Sequence, residues 1–208
     1  MVQTQNEGRR YSGVAPAERA RRRHEAFLAA ALELFGTDGY PPTSVKKICK
    51  EAGLTERYFY ASFRDRHDCL AQLYTELTGG LRTATLTAID RAAGADLDAV
   101  AESGLAAFIG FLTDDPRRAR VVLVEVVGVS EELEARRHGV LREFAELITS
   151  VWTASEAPAE AQRLTAVGLV GAVNHLLVDW LLSGRATPPD TLAAVCSSLF
   201  SAARERTT

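Results

Sequence analysis

The sequence predicts an all-α protein in two parts: a small N-terminal three-helix unit with a helix-turn-helix, and a larger C-terminal helical body. Apolar residues recur at helical spacing from the first segment onward: Phe27, Leu28, Ala31, Leu34 and Phe35. Capping residues, glycines and prolines separate the segments. The β-branched run at 121–127 could form a buried strand, but no partner strand is evident elsewhere, so we assign it to a helix.

The composition is that of a soluble globular protein in a reducing compartment. Of 208 residues, 47% are hydrophobic and 25% are charged, which suits a chain that buries a core without disulfides or metals. The cysteines lie far apart, with no metal-ligand spacing, at Cys49, Cys69 and Cys196. We expect no disulfide framework, no metal site and no cofactor.

No targeting or membrane segment is predicted. Residues 1–25 are polar and arginine-rich, unlike a signal peptide. The most apolar stretch, Leu164 to Leu182, is interrupted by Asn174, His175 and Asp179, whereas a spanning helix has about 20 residues with few such groups. We therefore expect a cytoplasmic protein that does not bind membranes.

Charge is distributed unevenly along the chain. Residues 1–70 carry twelve Lys and Arg against nine Asp and Glu, whereas residues 71–208 carry twelve against eighteen. A basic front on an acidic body is typical of a DNA-binding unit joined to a regulatory one, although many enzymes share it.

Capping residues, glycines and prolines mark where the N-terminal helices begin and end. Residues 1–16 are predicted to be a disordered arm, and the next helix ends at the glycines and prolines of 36–42. A short helix follows from Ser44, with Thr43 or Ser44 as its cap. Gly53 then makes a turn, and Thr55 caps the next helix, Glu56 to Phe63. We assign residues 17–66 to this first domain.

The body, residues 67–208, begins with a long helix capped by Asp65 and Asp68. Further helix starts are predicted at Asp96 or Asp98, Asp115-Pro116, Ser130, Pro158 and Thr187-Pro188-Pro189-Asp190. The helix that begins at Pro158 is apolar on nearly every side, which indicates burial on two sides.

The segment from Thr43 to Phe63 has the helix-turn-helix arrangement of two short helices joined by a glycine turn. A recognition helix must be anchored by large apolar groups, here Phe59 and Phe63, and must offer donors on its outer face. That face offers Thr55, Glu56, Arg57, Tyr58 and Tyr60. The same geometry also occurs as plain packing in all-α proteins.

These side chains suit distinct DNA contacts. Arg57 can fork onto guanine O6 and N7, and the hydroxyls of Thr55 and Tyr60 can bond phosphates. The helix N-terminus at Thr43-Ser44 is an anion site. Positive charge surrounds the motif at Lys46, Lys47, Arg64 and Arg66.

An ordered set of these residues resembles the TetR-type transcriptional repressors over about residues 20–80. The set comprises Ala31-Leu32-Glu33-Leu34-Phe35, Gly39-Tyr40, Thr43-Ser44-Val45, Ile48, Ala52-Gly53-Leu54-Thr55, Phe59-Tyr60 and Phe63-Arg64-Asp65-Arg66. The resemblance implies about nine helices, a homodimer through the last two long helices, and an effector pocket in the C-terminal domain. It also implies a double-stranded, palindromic operator.

Carried across by position, the resemblance implies DNA contacts at Thr43, Ser44, Thr55, Arg57, Tyr58, Tyr60, Arg64 and Arg66. Tyr60 matches the family's phosphate-binding tyrosine, and Arg66 matches the lysine that opens the following helix. Three positions depart from the pattern: Glu56, Arg57 and Ala61. These departures bear on the operator sequence and leave the class unchanged.

Polar and aromatic residues within apolar runs are the candidate effector contacts: Phe108, Phe111, Glu125, Trp152, Asn174 and His175. Each is equally consistent with ordinary core packing. Their setting favours a small hydrophobic or amphipathic effector. The dimer interface is predicted from two glycines that permit close approach and from the stripe of the last helix: Gly168, Gly171, Leu192, Val195 and Leu199.

Three functions remain open at this stage. The first is a repressor that a small molecule releases from its operator. The second is an architectural or division-associated DNA-binding protein without an effector, which a closed body without a cavity would favour. The third is an all-α enzyme, which the sequence disfavours because it contains no phosphate loop, nucleophile elbow or zinc spacing.

Overall fold

The computed structural model describes residues 15–153 and 159–206, and this part of the chain contains nine α-helices and no strand. They are α1 (Pro16–Thr37), α2 (Val45–Ala52), α3 (Glu56–Ser62), α4 (Arg66–Arg91), α5 (Leu97–Thr113), α6 (Pro116–Arg120), α7 (Glu131–Thr153), α8 (Glu160–Leu182) and α9 (Pro189–Glu205). A π-helical segment, Val121–Glu125, follows α6. The all-α prediction is confirmed. The predicted arm, apart from its last two residues, and the helix start at Pro158 lie outside the described residues.

The caps predicted from sequence form most of the helix starts. The Ser44 hydroxyl accepts a hydrogen bond from the Lys47 amide at 3.3 Å, which makes Ser44 and not Thr43 the cap of α2. Asp65, Asp96 and Asp115 cap α4, α5 and α6 in the same way. Thr55 precedes α3 without a side-chain capping bond.

The three N-terminal helices, which we call the platform, pack around an aromatic cluster. Phe27 of α1 meets Phe59 of α3 edge-on at 5.4 Å between ring centroids, and Phe63 lies 5.1 Å from Phe59. Ile48 of α2 closes the cluster and is fully buried. Gly53 permits the turn between α2 and α3, because its φ of +65° is in the left-handed region that glycine adopts easily. Burial of these rings fixes the orientation of α3.

The remaining helices form the body. Helix α4 begins at the platform and continues without interruption past Gly79-Gly80 to Arg91, about 39 Å of helix. Helices α4 and α7 run parallel, since Arg136 binds the Thr75 hydroxyl at 2.6 Å near one end and Arg82 pairs with Glu143 at 3.7 Å further along. Helices α5 and α9 pack together, as do α7 and α8.

Candidate DNA-binding surface and ligand cavity

Helix α3 presents a polar face to solvent above the aromatic cluster. Thr55, Glu56, Arg57 and Tyr60 are exposed, and the Tyr60 side chain is 57% accessible. A seven-residue helix held by Phe59 beneath it stands clear of the body, as entry into a major groove requires. The predicted outer face of the recognition helix is therefore accessible.

The beginning of α2 adds exposed polar and basic groups beside α3. Ser44, Lys46 and Lys47 are all exposed, and the Lys47 ammonium lies 3.7 Å from the Asp38 carboxylate. Arg64 is exposed as well, although it lies within 3.7 Å of Asp68. Such surface ion pairs are weak, so these cations remain able to meet phosphate.

Two of the predicted DNA contacts are occupied inside the protein. Thr43 is fully buried, and its hydroxyl donates to the Gly39 carbonyl at 2.7 Å. Arg66 donates from Nη1 to the carbonyls of Tyr40, Pro41 and Thr43, and its guanidinium lies 4.1 Å above the Tyr40 ring. The structure therefore gives both residues the role of holding the turn that precedes α2.

Arg23 of α1 is a basic residue beside the recognition helix that the sequence reasoning missed. Its guanidinium lies 4.5 Å above the ring of Tyr58, and that ring is 41% exposed. The stacking holds a positive charge at the edge of α3. The arginine-rich start of α1 was the available signal, but it does not show which arginine reaches α3.

An apolar cavity of about 100 Å³ lies inside the body. Its walls come from α4, α5, α7, α8, α9 and the π-helical segment. Aliphatic and aromatic side chains make up most of the lining, including Leu81, Phe108, Val140, Phe144 and Phe200. Such a cavity suits the apolar part of a small ligand.

The predicted ligand contacts divide between this cavity and other places. Phe108 and Asn174 line it. Phe111 packs outside it against Gly80 and Arg118. The Trp152 ring is not part of the lining and packs at a tilt against Phe200, at 5.1 Å between ring centroids. His175 is exposed on the outer side of α8. Only two of the six predicted side chains therefore form the lining.

Tyr74 and Arg137, which the sequence analysis did not select, bring polarity to one end of the cavity. Tyr74 is 1% exposed, and burial raises the pKa of its phenol to about 12, so the hydroxyl keeps its proton. Arg137 is paired with Glu134 at 2.9 Å, and the same glutamate accepts the Gly128 amide at 2.7 Å.

Glu125 lies at the junction between platform and body and not in the cavity. Its carboxylate accepts the Tyr40 amide at 2.7 Å and pairs with Arg120 at 2.9 Å. Arg120 also donates to the Thr37 carbonyl at 2.9 Å. Glu125 and Arg120 together thus connect the end of the π-helical segment to the chain between α1 and α2.

Helix α6 packs closely on the end of α1 at the same junction. A side chain at Gly36 would collide with the backbone of Arg117, so glycine is required there. Arg117 also forms an ion pair with Glu33. Helices α6 and α1 are therefore held in close contact at this junction.

The outer face of α8 and α9 exposes many apolar residues: Leu164, Val167, Leu182, Val195 and Leu199. Gly168 and Gly171 lie on the same face with open space above them. Leu192, in contrast, is buried within the protomer core. By length and composition α8 could span a membrane, but its inner residues pack on α7 and α9.

An exposed recognition helix on a helix-turn-helix platform, joined to an all-α body with an internal cavity, defines a DNA-binding transcriptional regulator. Residues 27–73 match the family model for bacterial regulatory proteins of the tetR family. This match, together with the curated regulators described next, makes the chain similar to the TetR-type transcriptional regulators.

Two curated bacterial regulators resemble most of the chain. The fatty acid metabolism regulator protein of Bacillus subtilis is 23% identical over 172 residues, covering 78% of this chain and 86% of the relative. The transcriptional regulator AcrR of Shigella flexneri is 23% identical over 175 residues, covering 80% and 81%. The Bacillus subtilis regulator FadR, solved in complex with stearoyl-CoA, superposes with a TM-score of 0.74 at 19% identity, covering 86% and 97%.

Proposed function

We propose that the protein is a repressor that binds operator DNA through α2 and α3 and is released by a small amphipathic molecule bound in the body. The observation that carries the proposal is the link between the cavity and the platform. Val122 and Leu123 of the π-helical segment line the cavity, and Glu125 at its end binds the Tyr40 amide. An occupant that shifts this segment therefore acts on the loop before α2.

We assign the DNA contacts to the exposed members of the predicted set, with residues 17–66 as the DNA-binding domain and 67–208 as the regulatory one. Arg57 is the candidate base reader, and Tyr60 contacts phosphate. Arg23 joins them as a further phosphate contact. The assignment rests on their exposure around α3, a family resemblance and a basic surface.

The exposed face of α8 and α9 is proposed as the homodimer interface. Several large apolar side chains exposed on one face favour association with a second copy of the protein. The glycines at 168 and 171 allow the helices of two copies to approach closely. Dimerisation would set two recognition helices about 34 Å apart, the spacing of successive major grooves.

We propose a cytoplasmic regulator and not an enzyme, because the curated relatives are bacterial regulators. A purely architectural role is disfavoured by the cavity, since such a role predicts a closed body. Ligand binding would favour a conformer whose recognition helices no longer match the operator, by an amount equal to its differential affinity for the two conformers.

Selection of bound sequences from random duplex DNA, followed by titration of the best site at two salt concentrations, tests the function. We expect a palindromic site bound at least about a thousandfold more tightly than random DNA. Uniform, salt-sensitive binding without enrichment would contradict sequence-specific repression.

Replacing Arg57 with alanine is expected to relax preference at one base position of each half-site by about 1–3 kcal/mol. A guanidinium fork that reads guanine is lost, while phosphate contacts remain. The measurement is a titration of every single-base variant of the selected site. Lys46→Ala is the matched control, and it should weaken all sites equally and lower the salt dependence. An unchanged ranking of sites in Arg57→Ala would exclude Arg57 as a base reader.

Replacing Glu125 with alanine is expected to reduce the response to effector. Without the carboxylate, the π-helical segment loses its bond to the Tyr40 amide, so cavity occupancy no longer moves the loop before α2. Coupling factors of about 5–150-fold are usual, and we expect this variant's factor to approach one. A ligand is first found by thermal-shift screening. The coupling factor is then the ratio of the operator affinities measured with and without that ligand.

The matched control is Glu132→Ala, which removes an exposed carboxylate paired with Arg136 on α7. This control should keep the full response. Equal responses of wild type and Glu125→Ala would show that the signal does not pass through this bond.

A further inference from the structure

The cavity is a channel that follows two parallel helices. On α7 its lining runs from Arg137 to Val151, and on α4 from Tyr74 to Ile89. Each stretch corresponds to about 21–23 Å of helix. The lining residues recur on one side of each helix, so the space is long and narrow. A long unbranched alkyl chain follows this shape better than a compact ring system, although the lining side chains must move apart to admit it, since the empty space is about 100 Å³.

Polarity changes from one end of the channel to the other. Tyr74 and Arg137 are the first lining residues of their helices, and because α4 and α7 are parallel, both lie at the end near the platform. The opposite end is lined by apolar side chains, including Ile89, Val151 and Phe200. The channel is therefore built for a molecule with one polar end and one long apolar end.

We propose, resting on the function proposed above, that the effector is a free long-chain fatty acid whose tail fills the channel and whose carboxylate pairs with Arg137. Arg137 is the only charged residue of the described lining. It is bound now by Glu134 at 2.9 Å, so a ligand carboxylate has the charge needed to replace that partner. The Tyr74 hydroxyl is a second donor at the same end.

A free acid fits this end better than the thioester of coenzyme A. A thioester carbonyl carries no formal charge, so it cannot compensate Arg137 for the loss of Glu134. The groove beside the channel, which shares Phe144 and Leu147 with it, contains Glu143 and Glu146. Its one cation, Arg82, already pairs with Glu143 at 3.7 Å. This groove runs beside the part of the channel that is further from Arg137, and its described lining offers the phosphates of coenzyme A no unpaired cation.

Exchange of carboxylates at Arg137 also gives the ligand a route to the platform. Glu134 accepts the Gly128 amide at 2.7 Å, just after the π-helical segment. A ligand carboxylate that takes Arg137 alters the position of Glu134 and so the anchor of Gly128. The segment that carries Glu125 then loses one of its constraints.

Equilibrium dialysis of the full-length protein with palmitate, methyl palmitate and palmitoyl-CoA, each below its micelle concentration, tests the proposal. The three probes share one chain and differ only in the head group. We expect palmitate to bind at least about tenfold more tightly than methyl palmitate or palmitoyl-CoA. In Arg137→Met the advantage of palmitate over its ester should disappear, while methyl palmitate still binds. Arg137→Lys should restore part of the advantage.

Arg136→Met is the matched control, because Arg136 is on the same helix but binds Thr75 and Glu132 outside the channel. It should retain the preference for palmitate. Tighter binding of palmitoyl-CoA, or equal binding of acid and ester, would overturn the carboxylate assignment. Failure of all three probes would overturn the acyl ligand. Operator binding by the same preparation is measured in parallel and judges the proposed function separately.

Discussion

Replacing Leu164 and Leu199 together with glutamate is expected to convert the protein to monomers and to weaken operator binding by about two to four orders of magnitude. Both side chains are exposed in the protomer, Leu164 at 63% and Leu199 at 42%, so the substitutions leave its core intact. In a dimer they would bury like charges against each other. Sedimentation velocity and operator titration measure the two effects.

The control for this pair is Val127→Glu, which places a charge on an apolar residue that is 51% exposed but distant in sequence from α8 and α9. This variant should remain dimeric. Circular dichroism should give the same helix content for both proteins. A double variant that sediments as a dimer would place the interface elsewhere on the surface.

Replacing Arg66 with methionine is expected to lower the free energy of unfolding by about 2–4 kcal/mol and to weaken binding to all DNA sequences. The guanidinium serves three backbone carbonyls in the turn before α2 and stacks on Tyr40. Methionine keeps much of the length but supplies no donor. Without these bonds the turn no longer fixes α2 against α3. Urea unfolding and operator titration are the measurements.

Arg64→Met separates positioning from contact. The Arg64 side chain is 74% exposed, so its loss should change the free energy of unfolding by less than about 0.5 kcal/mol. It should nevertheless reduce DNA affinity, because a phosphate contact is removed. If Arg66→Met unfolds like the wild type while binding DNA poorly, Arg66 contacts DNA directly and the positioning role is wrong.

The N-terminal architecture could be predicted closely because local chemistry determines it. The helix cap at Asp65, the turn at Gly53 and the buried face formed by Phe59 and Phe63 each depend on residues close in sequence. Local sequence is therefore enough to predict them. Whether a side chain is free to contact DNA is not determined by its neighbours in the sequence. Thr43 and Arg66 donate hydrogen bonds to backbone carbonyls that come near them only when the turn before α2 is folded, and no sequence pattern indicates this.

The cavity was harder to predict because helix orientation is set by packing. Helix α8 is apolar on nearly every side, so its sequence does not show that Asn174 faces the channel and His175 faces outward. Arg137 lies in a charged run that is typical of a solvated face, and the structure turns it toward Tyr74. In the sequence, Glu125 only interrupts a hydrophobic run. In the structure it lies at the junction between the platform and the body.

The π-helical segment has a consequence for comparing this regulator with its relatives. A π turn contains one residue more than the α turn it replaces, and that extra residue changes which side chains face which way. A homologue with one residue fewer here would form an ordinary α turn, and the helices before and after it would keep their places. A different side chain would then stand where Glu125 does. Two such proteins could superpose closely and still send their signals through unlike atoms.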